Sequence, residues 1–147
     1  QNKKEFLADV AMTLGGFAAE KIVFGDTTTG PSNDLQVVTA LARAMVTRWG
    51  MSDVIGPIAL ESDGGRPVMG DIIEEQRPGE EASRMIGIEV KKIIDGGLAT
   101  AMEVLTKHRA VLDVLANKLI EVETLEQPEY EAIISAHGIP LKKLAKK

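Results

Sequence analysis

Cysteine is absent from the 147 residues, so disulfides, thiol catalysis and cysteine-ligated zinc are excluded. Aromatic residues make up only 3% of the chain, and a hydrophobic core must come from Leu, Ile, Val, Met and Ala. Histidine occurs only twice, as His108 and His137, too few for a self-contained multi-histidine metal site. No uncharged stretch is longer than Val10–Ala19, well below the roughly 20 apolar residues of a membrane-spanning helix. A basic face is lacking too. Seventeen Lys and Arg stand against 22 Asp and Glu, a net charge of -5 that argues against nucleic acid as a partner. No signal-peptide pattern opens the chain. Its first residue is Gln1 rather than Met, which is expected of a piece of a longer polypeptide.

What is present is 44% hydrophobic residues, enough for one core in a single domain spanning 1–147. The patterning is helical. Asn2 and Glu5 have the spacing of a capping box, and Phe6, Leu7, Val10, Ala11 and Leu14 follow on one face. Gly15-Gly16 predicts a break, after which Phe17, Ala18, Ile22 and Val23 form a short helix ended by Gly25. Ser32-Asn33-Asp34 opens the best helix, with Leu35, Val38, Leu41, Ala42, Met45, Val46 and Trp49 on its apolar face and Gly50 as its stop. From Met51 to Gly79 the helical period is lost, and a small irregular or hairpin segment is expected around residues 57–70.

A long helix is expected over Glu80–Lys107, weakened at Gly87 and Gly96-Gly97. A boundary near His108-Arg109 precedes a helix carrying Val111, Leu112, Leu115, Leu119 and Ile120. Gln127-Pro128 starts the last helix, with Tyr130, Ile133 and Ile134 on its apolar side. Residues 139–147 read as a flexible lysine-rich tail. The expected fold class is therefore mainly α, a helical bundle.

Most motifs of chemistry are missing: the phosphate loop, the dinucleotide fingerprint, the nucleophile elbow and H-E-x-x-H. The one concentration of small polar groups is Thr27-Thr28-Thr29-Gly30-Pro31-Ser32-Asn33-Asp34. It suits ordinary capping, in which Ser32 accepts from the first-turn N–H groups and Asp34 favours the positive end of the helix dipole. Capping is the common use of such residues; the functional alternative is that a rigidly held Asp34 offers its carboxylate to a cation. One carboxylate cannot hold zinc alone, because such sites take three or four protein ligands.

A resemblance bears on that choice. Gly15-Gly16-Phe17-Ala18-Ala19-Glu20, Phe24-Gly25 and Thr28-Thr29-Gly30-Pro31-Ser32-Asn33-Asp34-Leu35 resemble the peptidase domain of FtsH-type ATP-dependent zinc metalloproteases. The likeness continues through Ala42-Arg43-Ala44-Met45-Val46-Thr47-Arg48-Trp49-Gly50-Met51-Ser52 and Gly56-Pro57. It returns in Glu89–Asp95, Leu105–Arg109 and Glu123–Glu126, and is poorest between Glu61 and Gly79. Pro31 stands where a small residue is usual, and Gly87, Ile88 and Gly96-Gly97-Leu98 replace charged or helix-favouring residues.

The resemblance implies that zinc is held by two histidines of an H-E-x-x-H helix and by the aspartate of the Ser-Asn-Asp segment, here Asp34. Such an ion would polarise the scissile carbonyl and acidify water, with the motif's glutamate as base. It further implies an ATPase module binding ATP, protein substrates unfolded and cleaved, and a homo-hexameric ring to which this part contributes surface. The parent would be membrane-anchored, with this domain on the cytoplasmic side or in an organelle, the chain itself being soluble and lacking any membrane segment. The H-E-x-x-H helix and ATPase module lie N-terminal in the family, so this chain is expected to begin after both and to be inactive in isolation, with no catalytic residue of its own. The alternative is a non-catalytic helical oligomerisation or interaction module derived from that family.

Overall fold

A computed structural model describes residues 1–61 and 79–141. The described residues form six helices and no strand, which makes the protein mainly α as expected. The expected irregular or hairpin segment around residues 57–70 lies outside the described residues from residue 62 onward, as do the tail residues 142–147. The chain divides into two compact units, Gln1–Glu103 and Val104–Lys147.

The first unit begins with α1 (Lys3–Thr13). Its start is the predicted capping box: Asn2 accepts from the Glu5 N–H at 3.0 Å, while the Glu5 carboxylate accepts from the Asn2 N–H at 2.9 Å. Leu14 separates it from α2 (Gly15–Phe24), so the double glycine marks a helix boundary. Gly25 ends α2 in the left-handed region, at φ 67°, where a side chain is unfavourable. Next comes α3 (Ser32–Thr47), which buries Val38, Ala42, Met45, Val46 and Thr47.

Ser32 is not the cap of α3. Pro31 holds that position with no side-chain hydrogen bond, and Ser32 is the first helical residue. The reason lies in the backbone. The Leu35 N–H already reaches the Pro31 carbonyl at 3.0 Å, so the helix starts one residue earlier than a serine cap would require. Trp49 also departs from expectation. The helix stops at Thr47, and the indole, 44% exposed, stacks on Phe6 of α1 with ring centroids 4.7 Å apart.

The predicted long helix runs unbroken as α4 (Glu80–Lys107). Its glycines do not interrupt it. Gly97 is buried, and a Cβ there would stand only 2.5 Å from Val10 Cγ1 of α1. The glycine thus permits a close approach of two helices rather than weakening one. The core consists of Val10, Leu14, Val38 and Met45, covered by Phe6, Leu41, Met51, Ile93, Ile94 and Leu98. It is aliphatic, as the shortage of aromatics requires.

The second unit contains the end of α4, then α5 (Arg109–Val122) and α6 (Gln127–Ala136). His108 marks the boundary before α5, as predicted, and Pro128 lies in the first turn of α6 behind a Glu126–Glu129 capping box. Val111 is buried on α5, whereas Ile120, expected on the apolar face, is 82% exposed. No residue of α6 is fully buried.

Candidate functional site

The turn between α2 and α3 is built from small polar residues, and the structure gives each a specific partner. Glu20 lies on α2, one turn before its end. One oxygen of its carboxylate accepts from the Thr28 N–H at 3.0 Å, and the Thr28 hydroxyl donates to the carboxylate at 3.0 Å. The same hydroxyl accepts from the Gly30 N–H at 3.1 Å. Gly30 is crowded as a result: a Cβ there would meet Thr28 Oγ1 at 3.2 Å and Glu20 Oε1 at 3.3 Å. The Ser32 N–H then closes on the Thr29 carbonyl at 3.2 Å, and Pro31 is buried. The turn reaches α3 through a run of bonded backbone rather than a loose connection.

Asp34 stands in the first turn of α3 and is half-buried. A carboxylate there is favoured by the helix dipole. Its Oδ2 lies 3.9 Å from where a Cβ on Gly16 would stand, so the aspartate faces the first turn of α2 at a position with no side chain. Among the described residues its carboxylate makes no hydrogen bond and no ion pair. Glu20, by contrast, is committed to Thr28 through both oxygens. Of the two carboxylates, Asp34 is the open donor.

A zinc site takes three or four protein ligands, so Asp34 alone could be no more than one donor of a set. No group of three or more His, Asp or Glu side chains able to hold a metal occurs among the described residues. Both histidines belong to the second unit: His108 caps α5, and a His137 ring nitrogen pairs with the Ile133 carbonyl at 2.8 Å.

Two further polar clusters escaped the sequence reading. Glu89, on α4, is a buried acid that accepts from the Ser52 hydroxyl at 2.7 Å, while Ser52 Oγ accepts from the Ile55 N–H at 3.1 Å. This pair borders a cavity of about 350 Å³ that also touches Lys3, Met51, Lys92 and Gly97, and includes no residue of the Asp34 turn. At the end of α3, Glu61 receives the Arg43 guanidinium at 2.6 Å and the Thr47 hydroxyl at 3.1 Å. The Arg43 contact and the Thr47 hydrogen bond outweigh burial and hold the Glu61 carboxyl below its ordinary value of 4.5. Glu20 and Thr28 were visible only as parts of a resembling block, because one lies on α2 and the other in the turn beyond Gly25, so no single periodicity joins them.

The family model for peptidase family M41 matches residues 1–133. The chain is 47% identical over 133 residues to the ATP-dependent zinc metalloprotease FtsH of Chloroflexus aggregans, covering 88% of the chain and 20% of that relative. It is 42% identical over 135 residues to FtsH 3 of Synechocystis, covering 90% and 22% respectively. With FtsH 3 of Conexibacter woesei it shares 41% identity over 141 residues, covering 95% and 18%. The chain therefore spans about a fifth of the length of these relatives. On a match covering nearly all of it, the chain belongs to peptidase family M41.

Proposed function

We propose that this chain is the helical C-terminal part of the peptidase domain of an ATP-dependent zinc metalloendopeptidase, and that Asp34 is its ligand to the metal. The observation that carries the assignment is the contrast within one turn. The Asp34 carboxylate is left open among the described residues while Glu20, Thr28 and Gly30 bond the turn that delivers it. The remaining ligands and the general base come from an H-E-x-x-H helix outside these 147 residues, since His108 and His137 do not have that spacing. Bound there, zinc supplies Lewis acidity for peptide hydrolysis. The chain's own part is to hold one carboxylate in a fixed place.

These relatives are named as ATP-dependent zinc metalloproteases, which supports the wider reading that the parent uses zinc in its peptidase and depends on ATP. In that reading the substrates are membrane and soluble proteins, the parent is a membrane-anchored homo-hexamer, and this domain lies on the cytoplasmic side or within an organelle. These helices give part of the ring surface.

The test is Asp34→Asn in the full-length protein, which keeps the side chain's shape and removes its charge. Zinc content, measured by elemental analysis after gel filtration, should fall below about a tenth of the wild-type value, and peptidase activity with it. Full zinc content together with full activity would refute the assignment.

A further inference from the structure

We infer that Thr28 is a positioning residue for Asp34: its hydroxyl ties Glu20 on α2 to the Gly30 backbone and so sets where α3 begins. This rests on the reading of Asp34 as a metal ligand and extends it to how the ligand is held. A hydroxyl can donate and accept at once. Thr28 does both, donating to the Glu20 carboxylate at 3.0 Å and accepting the Gly30 N–H at 3.1 Å. The Thr28 N–H adds a third bond, to the other oxygen of Glu20 at 3.0 Å. Bonds to a carboxylate are the stronger kind. The crowding at Gly30 shows how closely the backbone is drawn against both side chains.

From Gly30 the position passes through few soft joints. Pro31 has a ring-fixed φ and is buried, and its carbonyl already accepts the Leu35 N–H of α3 at 3.0 Å. Asp34 precedes that amide by one residue. Without the Thr28 hydroxyl, the turn can shift relative to α2 while both helices remain folded. Thr28 and Gly30 are exposed, so the tie adds little to global stability. Its effect falls on where the carboxylate sits, and metal affinity is sensitive to partners that orient a ligand.

The experiment uses the full-length protein and compares Thr28→Val, Thr28→Ser, Glu20→Gln and Asp34→Asn. Zinc affinity is measured by competition with a chromophoric chelator, and amide exchange of the 26–31 segment is followed in metal-free protein. Thr28→Val should weaken zinc binding by about tenfold and speed exchange in the segment, with an unchanged thermal midpoint. Thr28→Ser should restore both, because it keeps the hydroxyl. Should Thr28→Val fail to fold, Glu20→Gln carries the same test, since it removes one acceptor oxygen and the charge that strengthens both bonds. Wild-type affinity and exchange in Thr28→Val would overturn the positioning role, as would a Thr28→Ser variant no better than Thr28→Val. Either result leaves the ligand assignment standing if Asp34→Asn still loses zinc. Retention of zinc by Asp34→Asn would instead refute the assignment itself.

Discussion

Asp34 and Glu61 are carboxylates near opposite ends of α3, and their surroundings put them to different uses. Asp34 keeps its oxygens open among the described residues, whereas Glu61 is saturated by Arg43 and Thr47. A carboxyl held below its ordinary pKa stabilises the fold fully above the unfolded value and loses that contribution as pH falls through the folded value. For Glu61 the loss sets in below about pH 4.5. Glu61→Gln should therefore destabilise by about 1 kcal/mol at neutral pH, with the gap to wild type closing as the pH is lowered through the acid range. Urea titrations at several pH values between neutral and acid check this, and a gap that does not change with pH would contradict it. Ser52 makes a sharper case, because its partner Glu89 is buried. Ser52→Ala leaves that carboxylate without its hydroxyl donor and should cost about 1–3 kcal/mol. Denaturation within experimental error of wild type would show that the pair contributes nothing.

At the scale of the helices, local signals were legible in the sequence and tertiary ones were not. The Asn2 cap, the break at Gly15, the stop at Gly25, the boundary at His108 and the start at Gln127-Pro128 are each fixed by residues within one turn, and each was readable. The cap at Ser32 was misplaced because a backbone bond to Pro31 decided the start. Trp49 fits the apolar face by spacing, yet the helix ends before it and Phe6 supplies its contact. The same limit applied to the site. Asp34 was singled out by its motif, while the Glu20–Thr28–Gly30 tie needs a contact between two elements.

Gly97 was read as a weak point, though its role is set by Val10, far away in sequence. The two glycine substitutions on α4 should consequently have opposite signs. Gly97→Ala drives a Cβ into stiff, buried Val10 and should destabilise by about 1–3 kcal/mol, outweighing the gain in helix propensity. Gly87→Ala meets nothing within 4 Å and should stabilise by about 0.5–1 kcal/mol. Thermal midpoints of the two variants give the comparison, and shifts of the same sign would contradict it.

For the whole molecule, the incomplete ligand set among the described residues carries the main expectation. The 147-residue chain, purified and supplied with zinc, should not cleave a mixed protein substrate, and sustained hydrolysis by the pure chain would overturn the proposed division of the site. The two units also differ in how well they bury themselves. The first has a continuous core, whereas α5 buries only Val111 and α6 buries nothing fully. A segment so short seldom supports its own core, so amides of α5 and α6 should exchange faster than those of α1 and α3.

The Val10–Gly97 contact has a kinetic consequence. It joins α1 to a helix that lies on the far side of α2, α3 and the whole intervening stretch of chain. Helical proteins fold fast when their contacts are local, and this one is not. Docking of α4 must wait until a long loop closes, so refolding of the first unit should be slower than its helix content suggests. Loop-closure entropy grows only slowly with length, about 0.6 kcal/mol per doubling, so the chain between α3 and α4 can lengthen or shorten across the family at little thermodynamic cost. The glycine that lets two helices meet thus leaves evolution free to vary the segment that joins them.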